Sequence, residues 1–232
     1  MGLDIHVMPL CKFFAGEYES PLEKLKDILG PVMRIGTPKP DMPMEDAKEE
    51  VADLQKTLSE EFGTRSVWDD VGDPAFSEQF DFRAWHALRA FAAHQDYPAK
   101  KGLLRKEVRY FELENPESHP GIRKIWEGAD SSYRHLVVHA DNQGYYFPVK
   151  FEDPLLLDAE IGVVAGSSYA LQAELAKLGK FVKAEKRWSD LRDRDPLVPD
   201  GDPMGYVKYG WMFMHHCATL SVDRGLPIIF DG

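Results

Sequence analysis

The chain has 232 residues, 44% of them apolar and 29% charged, so it can bury a core of its own. Its 39 acidic and 28 basic residues give a formal net charge of -11, which argues against a protein that grips nucleic-acid phosphates. The two cysteines, Cys11 and Cys217, lie too far apart in sequence to form a CxxC pair, and no apolar run approaches the roughly 20 residues of a membrane span. We expect a cytoplasmic protein that binds neither nucleic acid nor membranes.

The N-terminal quarter predicts one strand and two helices. Residues 2–8 alternate between apolar and polar side chains, which is typical of a half-buried strand. The segment 20–23, Ser-Pro-Leu-Glu, predicts a capping box that opens a helix, and Gly30 closes that helix. A second helix is predicted from Met44 to Phe62, with an apolar stripe of Met44, Ala47, Val51, Leu54, Leu58 and Phe62.

The opposite face of the helix 44–62 carries much of the charge of the chain. Residues 41–62 hold eight acidic and two basic side chains, a net charge of -6. A solvated helix face explains this composition, and a docking surface for a basic partner is the alternative.

The remainder of the chain predicts further helices and strands. Residues 68–74 form an acidic loop with helix-capping aspartates, and Asp81 caps a helix over 82–94, on which His86 and His94 are exposed. Later elements are a strand over 107–113, a helix over 122–127, a helix opened by a serine cap at 166–168, a mostly apolar and therefore central helix over 206–222, and a buried strand over 225–230. The pattern predicts one domain over residues 1–232, of α+β or mixed α/β class, in which about five to seven helices pack on a small, mainly antiparallel sheet.

The segment from His135 to Phe151 gathers the most reactive side chains and predicts strand, turn and strand. Paired antiparallel strands over 134–139 and 145–151 would be joined by a turn containing Gly144. Strand alternation would then place His139 and Asp141 on one face, where an imidazole beside a carboxylate can serve as a general base. The same residues are also ordinary turn chemistry.

Three short pieces of sequence resemble a group of small uncharacterised bacterial and phage-encoded proteins. They are the Met-Gly-Leu-Asp-Ile start, the segment His139-Ala-Asp141 followed by Gly144-Tyr-Tyr, and the closing Leu226-Pro-Ile-Ile-Phe. The resemblance implies a bacterial context and carries over no activity or functional residue.

No catalytic residue is predicted, because the chain contains none of the high-information catalytic motifs. The candidate binding residues are His139, Asp141, Tyr145 and His215. As an alternative, Asp4 and His6 on the outward face of the first strand could join His139 and Asp141 in a zinc or manganese site. His215, His216 and Cys217 are consecutive on a helix and cannot converge on one ion, so His215 is an accessible side chain and Cys217 a packing residue.

These features support three hypotheses of function. The first is a non-enzymatic interaction protein that docks a protein partner through its acidic surface. The second is a metal-dependent hydrolase or metal-binding domain, and the third is an acidic neutraliser of a basic toxin or of a nucleic-acid-binding protein. The oligomeric state and the identity of the partner stay open.

Overall fold

The computed structural model of the protein describes residues 2–24, 39–62, 67–98, 119–139, 143–158, 163–183 and 204–232. In chain order the elements of these residues are β1 (Gly2–Val7), α1 (Leu10–Phe14), α2 (Pro21–Lys24), α3 (Met44–Phe62), β2 (Phe76–Asp81), α4 (Phe82–Asp96), α5 (Pro120–Trp126), α6 (Arg134–Val138), β3 (Gln143–Phe147), β4 (Leu155–Asp158), β5 (Val163–Ser167), α7 (Ser168–Val182), α8 (Gly205–Arg224) and β6 (Ile228–Asp231). None of the helices in these ranges is long and apolar enough to cross a bilayer.

The strands form one six-stranded sheet in the order β2-β1-β6-β3-β5-β4. β3 and β5 run parallel, and the other neighbours pair antiparallel. The predicted α+β class is therefore confirmed, and the sheet is mixed, with four antiparallel pairings and one parallel pairing among the described strands.

Helices cover the sheet on both faces. On the first face, Leu3, Ile5 and Val7 of β1 join one hydrophobic cluster with α4, α7 and α8. On the second face, Phe147 and Ile229 join another cluster with α1 and α3. β1 is consequently buried on both sides rather than half-buried, because its polar face lies under the second layer of helices, which is formed by α1 and α3.

Several predicted elements are confirmed, and their local signals act as expected. α3 begins and ends at the predicted residues. In the capping box of α2, Glu23 N donates to Ser20 Oγ (3.3 Å) and Ser20 N donates to Glu23 Oε2 (2.9 Å). Asp81 accepts from Arg83 N (2.8 Å), and Ser167 caps α7 by accepting from Ala170 N (3.3 Å).

Other expectations were wrong or lie outside the described residues. α1 and β2 were not predicted, and His86 and His94 are half-buried where exposed side chains were expected. The predicted helix end at Gly30 and the predicted strand 107–113 fall outside the described residues.

The predicted strand–turn–strand at 134–151 is wrong in its first half, because residues 134–138 form the helix α6. Glu174 of α7 reaches the start of α6 and accepts from His135 N (2.9 Å) and Leu136 N (2.8 Å). This cap is distant in sequence and overrides the strand preference of an apolar, β-branched run.

The glycine expected in the turn lies inside a strand instead. Gly144 belongs to β3 and pairs with Val164 and Phe230. Its φ of +137° and the 2.6 Å that would separate an added Cβ from the Val164 carbonyl oxygen explain why only glycine fits there.

α8 crosses the first face of the sheet and carries part of its core. Phe213 is fully buried and stacks on Phe80 with ring centroids 4.3 Å apart. Trp211 and Leu220 are only half-buried, although the mostly apolar sequence of this helix predicted a central position, and Trp211 Nε1 donates to the Leu175 carbonyl oxygen (2.7 Å).

Phe213→Ala should lower the free energy of unfolding by about 3–5 kcal/mol, because it opens a cavity in a fully buried site. Urea denaturation measures the loss. Phe181→Ala is the matched control, since Phe181 is a helical phenylalanine with 51% of its surface exposed, and it should cost less than about 1 kcal/mol. Equal losses in the two variants would place α8 outside the core.

The buried Glu174 predicts a dependence of stability on pH. Burial raises its pKa from 4.5 to about 8, although two backbone N–H groups donate to the carboxyl. Its contribution to stability is then fully present below about pH 4.5 and is lost as pH rises through about 8, because only the folded protein keeps the proton in that window. In the wild type the free energy of unfolding should therefore fall, by at most about 1.4 kcal/mol per pH unit, between about pH 4.5 and about 8. Urea titrations at several pH values should show that Glu174→Gln lacks this fall. Glu127→Gln, an exposed control, should keep it, and identical profiles for both variants would contradict the assignment.

Candidate functional site

The structure does not bring the proposed metal ligands together. The His139 ring lies in the first-face core, 4.3 Å from the Tyr146 ring and 4.4 Å from the Phe230 ring. His6 lies on the second face, where its ring centroid is 4.8 Å from that of Tyr18. The sheet separates the two histidines, so the expected convergence of Asp4 and His6 with His139 is wrong.

Asp141, the fourth proposed ligand, lies outside the described residues. Within the ranges that the structure describes, no group of three His, Cys, Asp or Glu side chains is arranged to hold a metal ion. Strand alternation in β1 was read correctly, but alternation alone does not say which strand and which face lie opposite.

The other two candidate binding residues also lie on different layers. Tyr145 is half-buried on the second face, 5.5 Å from the Phe147 ring between centroids. Burial, together with the carboxylates of Asp231 and Glu50, raises the pKa of its phenol to about 12. His215 is half-buried on α8 beside Trp211, where burial lowers its pKa. Tyr145 therefore lies close to acidic residues, and His215 belongs to the opposite layer.

The strongest functional feature is the solvent side of α3. Its inner side buries Ala47, Val51 and Leu58 in the hydrophobic cluster of the second sheet face. The side chains on the opposite side of the helix therefore point outward. Its seven acidic residues are all exposed. At about 100° per residue, five of them fall within an arc of about 100°, and we call these the acidic helix face: Asp46, Glu49, Glu50, Asp53 and Glu60.

The spacing of these charges resembles that of a nucleic-acid strand. The 19 residues of α3 span about 28 Å at 1.5 Å per residue. All seven carboxylates of α3 together give one negative charge per about 4 Å of helix, and the five of the acidic helix face give one per about 6 Å; one strand of B-DNA has one phosphate per about 3.4 Å. The only basic residues of the helix are Lys48, which pairs with Glu45 (3.0 Å), and Lys56.

The acidic loop 67–75 is tied to the same layer by Asp70. Its carboxylate accepts from Leu10 N and Cys11 N (2.7 Å each) at the start of α1, and from Trp68 Nε1 (3.1 Å). Gln55 of α3 donates to the Trp68 carbonyl oxygen (3.0 Å). The sequence suggested a helix-capping aspartate in this loop, but it could not show that Asp70 caps a helix about 60 residues away.

Asp70→Ala should lower the free energy of unfolding by about 1–3 kcal/mol, because it removes the acceptor of three donors, two of them backbone amides. Hydrogen exchange at the amides of Leu10 and Cys11 should accelerate in the same variant. The control is Asp69→Ala, which removes the neighbouring, exposed carboxylate. If both variants unfold at the same urea concentration, Asp70 does not anchor the loop.

Residues 1–230 match the model of one protein family, described as "Putative DNA-mimic protein". Searches of curated proteins and of solved structures found no significant match. Because the family match covers nearly all of the 232 residues, this chain belongs to that family.

Proposed function

We propose that this protein is a DNA mimic, which occupies the DNA-binding surface of a basic protein with the acidic helix face of α3. The observation that carries the proposal is the array of seven exposed carboxylates on α3, whose spacing along the helix is close to that of the phosphates of one DNA strand. Membership of the DNA-mimic family supports the same reading.

Electrostatics explains how such a surface would compete with DNA. Proteins that bind DNA present lysine and arginine side chains to the phosphates, and this contact supplies much of their affinity. A complementary array of carboxylates can bind the same side chains and accelerate the encounter between the two proteins. The chain as a whole, at -11, reinforces this attraction.

A rigid scaffold favours binding because the carboxylates need not be ordered when the partner arrives. The backbone of α3 is held by its buried stripe, and the loop beside it is held by Asp70 and Gln55. The earlier hypotheses of an interaction protein and of an acidic neutraliser merge in this proposal. Family membership favours a DNA-binding protein over a toxin as the target.

Competition against DNA tests the proposal directly. Fluorescence anisotropy would follow a labelled duplex bound to each of three purified probes: a histone-like nucleoid protein, a helix-turn-helix repressor and a restriction endonuclease. The protein should release the duplex from at least one probe, and more weakly as salt rises, because salt screens exposed charges over about 10 Å at 0.1 M. The helix variant Glu49→Gln, Asp53→Asn, Glu60→Gln should need at least about tenfold more protein for the same release.

The control carries the same change of charge elsewhere. Glu127→Gln, Glu152→Gln, Asp223→Asn neutralises three exposed acids that lie outside α3 and should release the duplex nearly as well as the parent. If both triple variants release the duplex equally poorly, the release depends on net charge alone and not on the position of the carboxylates on α3. No release from any probe by the parent protein would overturn the proposal.

A further inference from the structure

Two apolar side chains point into solvent from the acidic loop. Val67 is 44% exposed and Val71 is 73% exposed, and we call these two residues the valine pair. Between them the side chains alternate, because Trp68 is buried, Asp69 is exposed and Asp70 is half-buried. Such alternation places every second side chain of an extended segment on the same side. The outward side of the loop therefore presents a valine, a carboxylate and a second valine in turn.

The valine pair is held in place, although the loop belongs to no helix or strand. The Trp68 ring stacks on the Phe147 ring with centroids 4.8 Å apart. The Asp70 carboxylate accepts from two backbone amides at the start of α1. Val67 directly precedes the first of these anchors, and Val71 directly follows the second. Both valines are thus positioned before a partner arrives, which lowers the entropy cost of binding.

The valine pair and the acidic helix face belong to one layer of the molecule. Trp68 lies in the same hydrophobic cluster as Val51 and Leu58, which form part of the inner side of α3. Gln55 of α3 donates to the Trp68 carbonyl oxygen (3.0 Å), so the loop and the helix are direct neighbours. Their outward sides consequently face solvent on the same side of the sheet, where a single partner can contact both.

Two kinds of contact distinguish one DNA-binding protein from another. Contacts to phosphates position a protein on the duplex, whereas contacts to the edges of the bases specify the sequence. The apolar group among these edges in the major groove is the thymine methyl, which DNA-binding proteins contact with apolar side chains. Carboxylates imitate the phosphates alone, so a mimic that also imitates base edges needs apolar groups beside its acidic groups.

We infer that the valine pair contacts the apolar side chains with which the DNA-binding partner reads thymine methyl groups. This inference rests on the proposed function and adds selectivity to it. The isopropyl groups replace the methyl groups of the base edges, and the acidic helix face beside them replaces the phosphates. The preferred partner is then a sequence-specific protein that reads the major groove, rather than a protein that binds the DNA backbone alone.

The first test removes the valine pair without changing any charge. Val67→Ser, Val71→Ser should need at least about fivefold more protein than the parent to release the duplex from the helix-turn-helix repressor. Its melting temperature should stay within about 2 °C of the parent, because both side chains are exposed. If it melts lower, Val67→Thr, Val71→Thr keeps the branched shape and should weaken release in the same direction. Release equal to that of the parent would overturn the inference.

The matched control removes two exposed apolar side chains elsewhere. Leu156→Ser, Phe181→Ser changes residues that are 54% and 51% exposed and lie outside the loop and α3. It should release the duplex like the parent. An equal loss in this control would overturn the inference, because exposed apolar surface at any position would then serve.

The salt dependence of release separates an apolar contact from a disturbance of α3. The valine variant should need more protein at every salt concentration, with the same logarithmic slope as the parent, because it loses no charge. The α3 triple variant should have a shallower slope. A shallower slope in the valine variant would overturn the inference, since its loss would then come through the carboxylates.

Duplexes with uracil in place of thymine test which contact the valines replace. The loss of affinity for the uracil duplex measures how strongly each probe reads thymine methyl groups. The valine variant should lose release from probes that discriminate the two duplexes and release the other probes like the parent. Equal losses on both kinds of probe would contradict the inference.

The outcomes separate the inference from the proposal on which it rests. If the α3 triple variant is impaired and the valine variant is not, the inference is overturned and the DNA-mimic function stands. If the parent releases no probe, both fail.

Discussion

The acidic helix depends on the burial of its opposite face. Like-charge neighbours three or four residues apart cost about 0.2–0.5 kcal/mol each, and α3 contains five such pairs among residues 45–53. Burying Val51 and Leu58 contributes about 1.5–3 kcal/mol each, so packing outweighs the repulsion. Because α3 needs a surface to pack on, the second layer and both covered faces of the sheet follow from this one constraint.

The two helix layers have different roles. The first, with α4, α7 and α8, holds most of the large apolar side chains and stabilises the domain. The second, with α1 and α3, is smaller and orients charge. Asp70 and Glu174 each cap a short helix from a distant part of the chain, and so replace local signals that the helices α1 and α6 lack. Such long-range caps join segments that local sequence would leave independent.

Sequence reasoning succeeded where a local signal decides the structure. The right elements followed from the apolar period of α3, from the serine caps of α2 and α7, and from the apolar closing segment that contains most of β6. It failed at residues 134–139, where a contact from Glu174 overrides strand propensity. It also failed to place His139, because alternation in β1 cannot say that His139 and His6 lie on opposite faces. The acidic helix was identified from sequence, whereas the helix caps supplied by Asp70 and Glu174 required the tertiary structure.

If the protein is a DNA mimic, a basic partner binds this surface with the side chains that it uses for DNA. Lysine acetylation footprinting of a responsive probe, alone, with duplex DNA and with this protein, measures that directly. We expect the lysines that DNA protects to be protected by this protein as well, and the α3 triple variant to lose the protection. Protection of a separate set of lysines, with those of the DNA-binding surface still reactive, would contradict mimicry even if the two proteins bind tightly.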